Sequence, residues 1–416
     1  MRAHGRLALV IGGASVGSVG WGAVLPFLYA DVAQARGLGA SVAAVTFIAF
    51  AFGALLAAPV AGHLADRLPA ALVATGARGA MIVALVGLTF AGTALPLWSA
   101  ALAYGAAYAT VQPAVSVLVL DLTPAARRRD AFAAQFIGLN LGLAAGGLVG
   151  GRLVDLTTAT GARPAYLFAA AASALSAVLV AAGGGRARRG AVVAVNEPEE
   201  SVGYRQVLRA PAIGGLLAVT ALLTLACYAQ YDSGLPSYAL TVLHVAPQTL
   251  GTAVALNSVL VALLTAPVVR GTRKASPARL LAVCAGLWVG VWLVFAAPLL
   301  VGAPAAGFVL LGYALFSVGE TMLAPVLSPL AAVLAPVGAV GRTLAAVNGA
   351  QTLATAVGPG VAALLLGAGQ PLGFLALEVA CCVGALFGAR RLGRDLRRHA
   401  AGRMARQASP AGIPAG

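Results

Sequence analysis

Long apolar stretches recur along the whole chain, and this recurrence limits its fold more than any other feature. Runs of about 20 apolar residues, the length that a helix needs to cross a bilayer core, extend from Leu7 to the neighbourhood of Ala389. Only 9% of the residues are charged, against about 25% in soluble globular proteins. The alternating pattern of an outer-membrane barrel is absent, so we predict an all-α integral membrane protein.

We predict twelve membrane-spanning helices joined mostly by short polar turns. The expected spans are about Leu7–Tyr29, Val42–Ala61, Ala71–Thr93, Leu95–Leu122, Ala131–Val154, one ending near Gly183, Ala212–Tyr238, Leu250–Val269, Leu280–Leu300, Ala305–Leu334, Thr343–Leu366 and Pro371–Ala389.

The distribution of arginine predicts the orientation of these spans. A net charge of +15 would favour a nucleic-acid partner in a soluble protein, but here the basic residues cluster between pairs of spans. The loops on the other side hold only Arg36, Arg152 and Arg163. The positive-inside rule therefore predicts cytoplasmic termini in the inner (plasma) membrane, with no nucleic-acid partner. The basic clusters are Arg2 and Arg6, Arg67 and Arg78, Arg127 to Arg129, Arg186 to Arg209, Arg270 to Arg279, Arg342, and Arg390 to Arg406.

The two halves of the chain repeat each other. The segment Phe316–Pro336 has an echo 212 residues earlier, in which Pro113 and Pro124 keep the spacing of Pro325 and Pro336. Because the N-terminal apolar run also has a counterpart in the second half, we interpret it as a span and not as a signal peptide. Parallel repeats of six spans are typical of transporters. We predict six-helix halves at 1–183 and 211–392, a cytoplasmic linker at 184–210 and a basic tail at 393–416 that contacts the lipid bilayer.

The turn predicted after the second span reads GHLADRLP, from Gly62 to Pro69. It resembles the G-x-L-A-D-R-x-G-R-[KR] loop of the major facilitator superfamily, and the duplicated twelve-span layout resembles that family over the whole chain. Pro69 and the two alanines after it depart from the motif. The resemblance implies a monomeric transporter that is not an enzyme, with a cytoplasmic gate; the alternative for this motif is a solvated charge pair. The gating candidates are Gly62, Asp66, Arg67, Asp121 and Arg127.

Two carboxylates within the spans are candidates for proton coupling. Glu320 lies about 15 residues into the tenth span and Asp232 lies in the seventh. An ionised carboxylate at the centre of a bilayer costs about 2.5 to 3.5 kcal/mol, so reversible protonation is expected there. With Asp66 and Asp121, they resemble the acid pattern of proton-coupled multidrug antiporters. The alternative for each is a hydrogen-bonded structural group. For Glu378, in the twelfth span, which is peripheral in the family that the sequence resembles, we favour helix packing or an interface over transport.

Polar and aromatic residues on the spans that line the family's central cavity are candidates for substrate contact. Their mixed character suits amphipathic or cationic organic molecules. No cluster of basic residues falls within the spans, which disfavours organic anions and phosphate esters. The candidates are Trp21, Tyr104, Tyr108, Gln112, Asn140, Tyr228, Tyr231, Asn257, Asn348 and Gln351.

The sequence contains no phosphate-binding loop and no histidine or cysteine arrangement with metal-ligand spacing. We interpret Cys227, Cys284, Cys381 and Cys382 as packing residues. The expected energy source is therefore the proton gradient, with no metal and no cofactor. The function that we predict is proton-coupled export of small organic compounds or drugs. The alternatives are an uncoupled or import-type metabolite permease, a transport-dead membrane sensor and, least favoured, a membrane enzyme.

Overall fold

The computed structural model describes residues 3–184, 211–272, 275–335 and 340–408. The side chains of 58–67, the segment 185–210 that holds the predicted linker, and 409–416 of the predicted tail lie outside the described residues. The first half contains α1 (Ala3–Ala30, extended by a π-helical turn at Asp31–Ala35), α2 (Ala40–Arg67), α3 (Ala70–Phe90), α4 (Ala94–Leu122), α5 (Arg128–Leu153) and α6 (Arg163–Gly184).

The second half repeats this arrangement. It contains α7 (Pro211–Leu223, Thr224–Tyr228, Gln230–Gly234 and Leu235–Thr241 in succession), α8 (Pro247–Gly271), α9 (Pro277–Val301), α10 (Ala305–Leu334), α11 (Val340–Gly367) and α12 (Pro371–Ala408). Within the described ranges, twelve helices are long and apolar enough to cross a membrane. The predicted all-α fold with two six-helix halves is therefore confirmed.

The motif predicted as a turn after the second span is helical over most of its length. Residues Gly62 to Arg67 form the last turns of α2, and only Leu68 and Pro69 connect α2 to α3. A proline disfavours the helical conformation of the residue before it, so α2 ends just before Leu68. The gating motif therefore lies at a helix end, and the predicted loop was wrong.

Glycines bring α5 against α1 within the first half. A Cβ atom at Gly142 would lie 2.2 Å from the carbonyl oxygen of Ser15, and one at Gly146 would lie 2.1 Å from that of Val19. Close backbone approach of this kind is how membrane helices associate when no hydrophobic driving force exists between them. The glycines that recur every four residues on α5 thus form its packing face against α1.

The halves meet along α5 with α8 and along α2 with α11. One close approach joins Gly147 to Gly251, where a Cβ at Gly251 would lie 2.2 Å from the carbonyl oxygen of Gly147. A second contact joins Ala40, at the start of α2, to Gly367 at the end of α11. Both contacts lie at the end of the molecule opposite Ala3, so the halves are closed against each other there.

Candidate functional site

A cavity lies between the two halves. It consists of two hollows of about 270 Å³ and about 690 Å³, and pockets that bind small molecules measure roughly 300 to 1,000 Å³. The two hollows share the side chains of Trp21, Tyr108, Gln112, Tyr228 and Asp232. Because α1 and α4 supply the first three residues and α7 supplies the others, the shared wall belongs to both halves.

Both predicted proton-coupling acids line the smaller hollow. Glu320 comes from the middle of α10, 15 residues after Ala305, and Asp232 comes from α7. Trp21 of α1 lines the same hollow as the two acids. The acids thus belong to the second half, while one of their polar neighbours belongs to the first.

The irregular middle of α7 directs three candidate side chains toward the cavity. Residues Thr224–Tyr228 and Gln230–Gly234 form two π-helical turns, which place Tyr228, Tyr231 and Asp232 on the cavity wall. Single π-helical turns inside α-helices are rare and are frequent at functional sites. The residue types were recognised from the sequence, but nothing in the apolar pattern indicates this change of helical geometry.

An aromatic cluster forms the wall on the side of the first half. The rings of Trp21 and Tyr108 stack with centroids 3.9 Å apart, and Phe50 lies 5.5 Å from Trp21. On the opposite side, the Tyr231 ring packs 5.5 Å from Phe316. These faces offer apolar and cation–π contact to a bound molecule.

Most of the predicted substrate residues are brought together in this cavity. Tyr104 is buried behind the wall, 6.0 Å from the Trp21 ring, and buried Asn257 donates a hydrogen bond to the Tyr313 carbonyl at 3.3 Å. The predicted residues that line the cavity are Trp21, Tyr108, Gln112, Asn140, Tyr228, Tyr231, Asn348 and Gln351.

Arg78 is a site residue that the sequence analysis assigned to a cytoplasmic basic cluster, and that assignment was wrong. It lies within α3, is 6% exposed and lines the smaller hollow with Asp232 and Glu320. Its position eight residues into an apolar helix was the available signal, because a surface cluster does not extend that far along a span.

The predicted gate is only partly described. The side chains of Gly62, Asp66 and Arg67 lie outside the described residues. Asp121 is exposed near the end of α4, and the Nη1 atom of Arg127 lies 3.0 Å from Nε2 of His4. The gating role of these residues stays a prediction.

Two further groups of predicted residues lie away from the cavity. Glu378 of α12 is 0% exposed, and neither carboxylate oxygen has a hydrogen-bond partner in the part of the chain that the structure describes. The four cysteines, Cys227, Cys284, Cys381 and Cys382, are buried as free thiols, consistent with packing residues.

Several solved structures resemble this one. The POT family transporter PepTSo is 15% identical, with a TM-score of 0.71 over 94% of this chain and 98% of that chain. A POT family transporter in complex with 5-aminolevulinic acid is 16% identical, with a TM-score of 0.71 over 92% and 94%. Tetrameric PepTSo2 is 15% identical, with a TM-score of 0.72 over 96% and 99%. At these identities the resemblance concerns the fold.

Comparison with curated proteins returned no match. The sequence profile of the Major Facilitator Superfamily, in contrast, matches residues 10–299, which is more than half of the 416 residues. That match agrees with the twelve helices, the two halves and the cavity between them. The chain therefore belongs to the major facilitator superfamily and is a multi-pass membrane protein with the fold of a secondary transporter.

Proposed function

We propose that this protein exports small organic compounds or drugs in exchange for protons, with Glu320 and Asp232 as the proton-carrying acids. The observation that carries the proposal is the placement of both acids on one cavity between the halves. In this proposal 1–183 and 211–392 are the moving halves, joined by the linker 184–210 and followed by the tail 393–416. The protein acts as a monomer in the inner membrane, with both termini cytoplasmic.

The chemistry of a buried carboxylate connects protonation to conformation. An ionised carboxylate enclosed between the halves loses its hydration, whereas a protonated one does not carry that cost. Proton binding to Glu320 and Asp232 therefore favours closing of the cavity, and a cationic substrate beside the ionised acids has the same effect. Because protons and substrate both bind to the carboxylates of Glu320 and Asp232, they occupy the site alternately as the halves rock.

The residues of the cavity wall favour amphipathic substrates. Trp21, Tyr108, Tyr228 and Tyr231 present aromatic surface near the two acids, an arrangement that favours an organic cation with an apolar body. The larger hollow, of about 690 Å³, has the volume expected for a drug-sized ligand.

The alternative on the same fold is an import-type or uncoupled metabolite permease. The resemblance to POT family structures, which include a peptide transporter, is the observation that favours it. Transport that persists after collapse of the proton gradient would identify an uncoupled permease. Accumulation toward the side that holds the termini would identify import.

The test uses inverted membrane vesicles containing the wild type, Glu320→Gln, Asp232→Asn or Glu378→Gln. A pH-sensitive dye reports proton movement as tetraphenylphosphonium and other lipophilic cations are added with neutral drugs. We expect substrate-evoked proton flux in the wild type, its loss in the first two variants and its retention in Glu378→Gln, whose carboxylate is buried outside the cavity. Unchanged flux in Glu320→Gln would refute the coupling scheme.

A further inference from the structure

Arg78 places a positive charge deep inside the first half. It lies eight residues after Ala70, the start of α3, which is about 12 Å along the helix axis. Arg78 is 6% exposed, yet its side chain lines the smaller hollow, which is also lined by Asp232 and Glu320. The cavity thus carries a cation on the wall of the first half and two acids on the wall of the second.

The guanidinium of Arg78 is poorly satisfied within the protein. Its Nη1 atom lies 3.6 Å from the Met81 sulfur, a weak acceptor, and its buried Nε has no hydrogen-bond partner in the described part of the chain. The one ion pair formed among the described residues joins Arg36 to Asp31 and leaves Arg78 without a carboxylate. A guanidinium has five N–H donors, and burying them unpaired is costly.

The neighbouring helix makes room for this side chain. A Cβ atom at Gly17 of α1 would lie 2.1 Å from Nη2 of Arg78, so any larger residue at position 17 would displace the guanidinium. Ala14, about one turn earlier on α1, and the adjacent Ser18 line the same hollow. Small residues on α1 therefore keep the guanidinium at the cavity wall, where a ligand can reach it.

We propose that Arg78 binds the carboxylate of the transported compound, whose cationic group faces Asp232 and Glu320. The substrates are then amphoteric organic compounds, which carry one carboxylate and one amine on an apolar body. An arginine binds a carboxylate through two parallel N–H···O hydrogen bonds, so one buried arginine suffices for the anionic end. In this proposal, the absence of a basic cluster within the spans does not exclude a substrate with a single carboxylate.

The inference rests on the proposed transport function and adds a substrate class to it. A compound bound at both ends contacts α3 of the first half and α7 or α10 of the second. Binding of such a compound draws the halves together through two charged contacts, whereas a compound lacking the carboxylate leaves Arg78 unpaired. Affinity should therefore depend strongly on the carboxylate.

The experiment compares ciprofloxacin, an amphoteric drug, with its methyl ester, which has the same body and amine but no carboxylate. Equilibrium binding is measured on purified wild type, Arg78→Gln, Arg78→Lys and Arg152→Gln, the last removing an exposed arginine in the last turn of α5. We expect the wild type and Arg152→Gln to prefer the acid by at least about tenfold. Arg78→Gln should abolish this preference, because it removes the bidentate partner of the carboxylate and so lowers affinity for the acid much more than for the ester.

Several outcomes would overturn the inference: equal affinity of the wild type for acid and ester, no binding of the acid, or an equal loss for both compounds in Arg78→Gln. Thermal melting checks folding; if Arg78→Gln does not fold, the acid-to-ester ratio must be lower in Arg78→Lys than in the wild type. Proton flux evoked by tetraphenylphosphonium tests the transport proposal separately. If proton flux requires Glu320 but the wild type does not prefer the acid to the ester, only the inference about Arg78 is overturned. If the wild type prefers the acid but shows no proton flux, only proton coupling is overturned.

Discussion

Asp31 and Arg36 form a buried ion pair at the end of α1, with 2.8 Å between Oδ2 and Nη2 and side-chain exposures of 0% and 7%. Tyr166 of α6 donates to the same carboxylate oxygen at 2.6 Å. Arg36 also donates to the carbonyl oxygen of Ala91, the residue after α3, at 2.7 Å. One ion pair therefore joins the ends of three helices in the first half.

Substitution of Asp31 by Asn should destabilise the first half. It leaves the Arg36 guanidinium buried without a counter-charge, and loss of one partner of a buried pair costs about 3 to 5 kcal/mol. The measurement is thermal melting in detergent. The control is Arg152→Ala, which removes an exposed side chain that donates to the Leu148 carbonyl of its own helix; this variant should melt like the wild type. A wild-type melting temperature for Asp31→Asn would show that the pair does not hold these helices together.

Substitution of Gly146 by Ala should loosen the α1–α5 contact. Its Cβ would lie 2.1 Å from the Val19 carbonyl oxygen, so the helices must separate, at a cost of about 1 to 3 kcal/mol for overpacking. Gly76→Ala on α3 is the matched control, because nothing lies within 4 Å of a Cβ there. Thermal melting should show a loss for Gly146→Ala and no loss for Gly76→Ala; the same result for both would contradict the packing argument.

Substitution of Glu378 by Met should raise thermal stability and preserve proton-coupled transport. The carboxylate is completely buried, and its oxygens lack partners among the described residues, so an apolar side chain of similar length removes an unmet solvation requirement. Glu320→Met provides the comparison and should lose proton flux. A fall in proton flux in Glu378→Met would identify α12 as part of the proton path.

Substitution of Trp21 by Ala should weaken binding of tetraphenylphosphonium roughly 2- to 30-fold, the range for loss of a cation–π contact of about 0.5 to 2 kcal/mol. The indole stacks on Tyr108 at 3.9 Å and faces both hollows. Trp21→Phe keeps an aromatic face and should retain most of the affinity. Equal losses in the two variants, measured by equilibrium binding, would show that the aromatic face is not what binds the cation.

The sequence predicted the number of spans and the identity of the two cavity acids because both follow from the cost of placing polar groups in lipid. Glu320 and Asp232 stand out against apolar neighbours. Arg78 was grouped with Arg67 because a count of basic residues along the chain does not show how deep in the membrane each residue lies. The π-helical turns of α7 interrupt the α-helical period, and the Asp31–Arg36 pair has further partners, Tyr166 and Ala91, that are distant in the sequence. Periodicity alone reveals neither of them.

The contact between Gly147 and Gly251 affects how easily the two halves could separate and close again in the proposed mechanism. Because the contact is made by main chain, separating α5 from α8 at this point breaks no ion pair and leaves no side-chain donor unpaired. Reclosure likewise requires no side chain to find a particular rotamer. Separation of the two helices here loses dispersion attraction, which is the sum of many weak contacts between atoms and declines smoothly with distance. In the proposed mechanism, a joint of this kind would allow the closed and open forms to differ little in free energy, so that occupancy of the cavity decides between them.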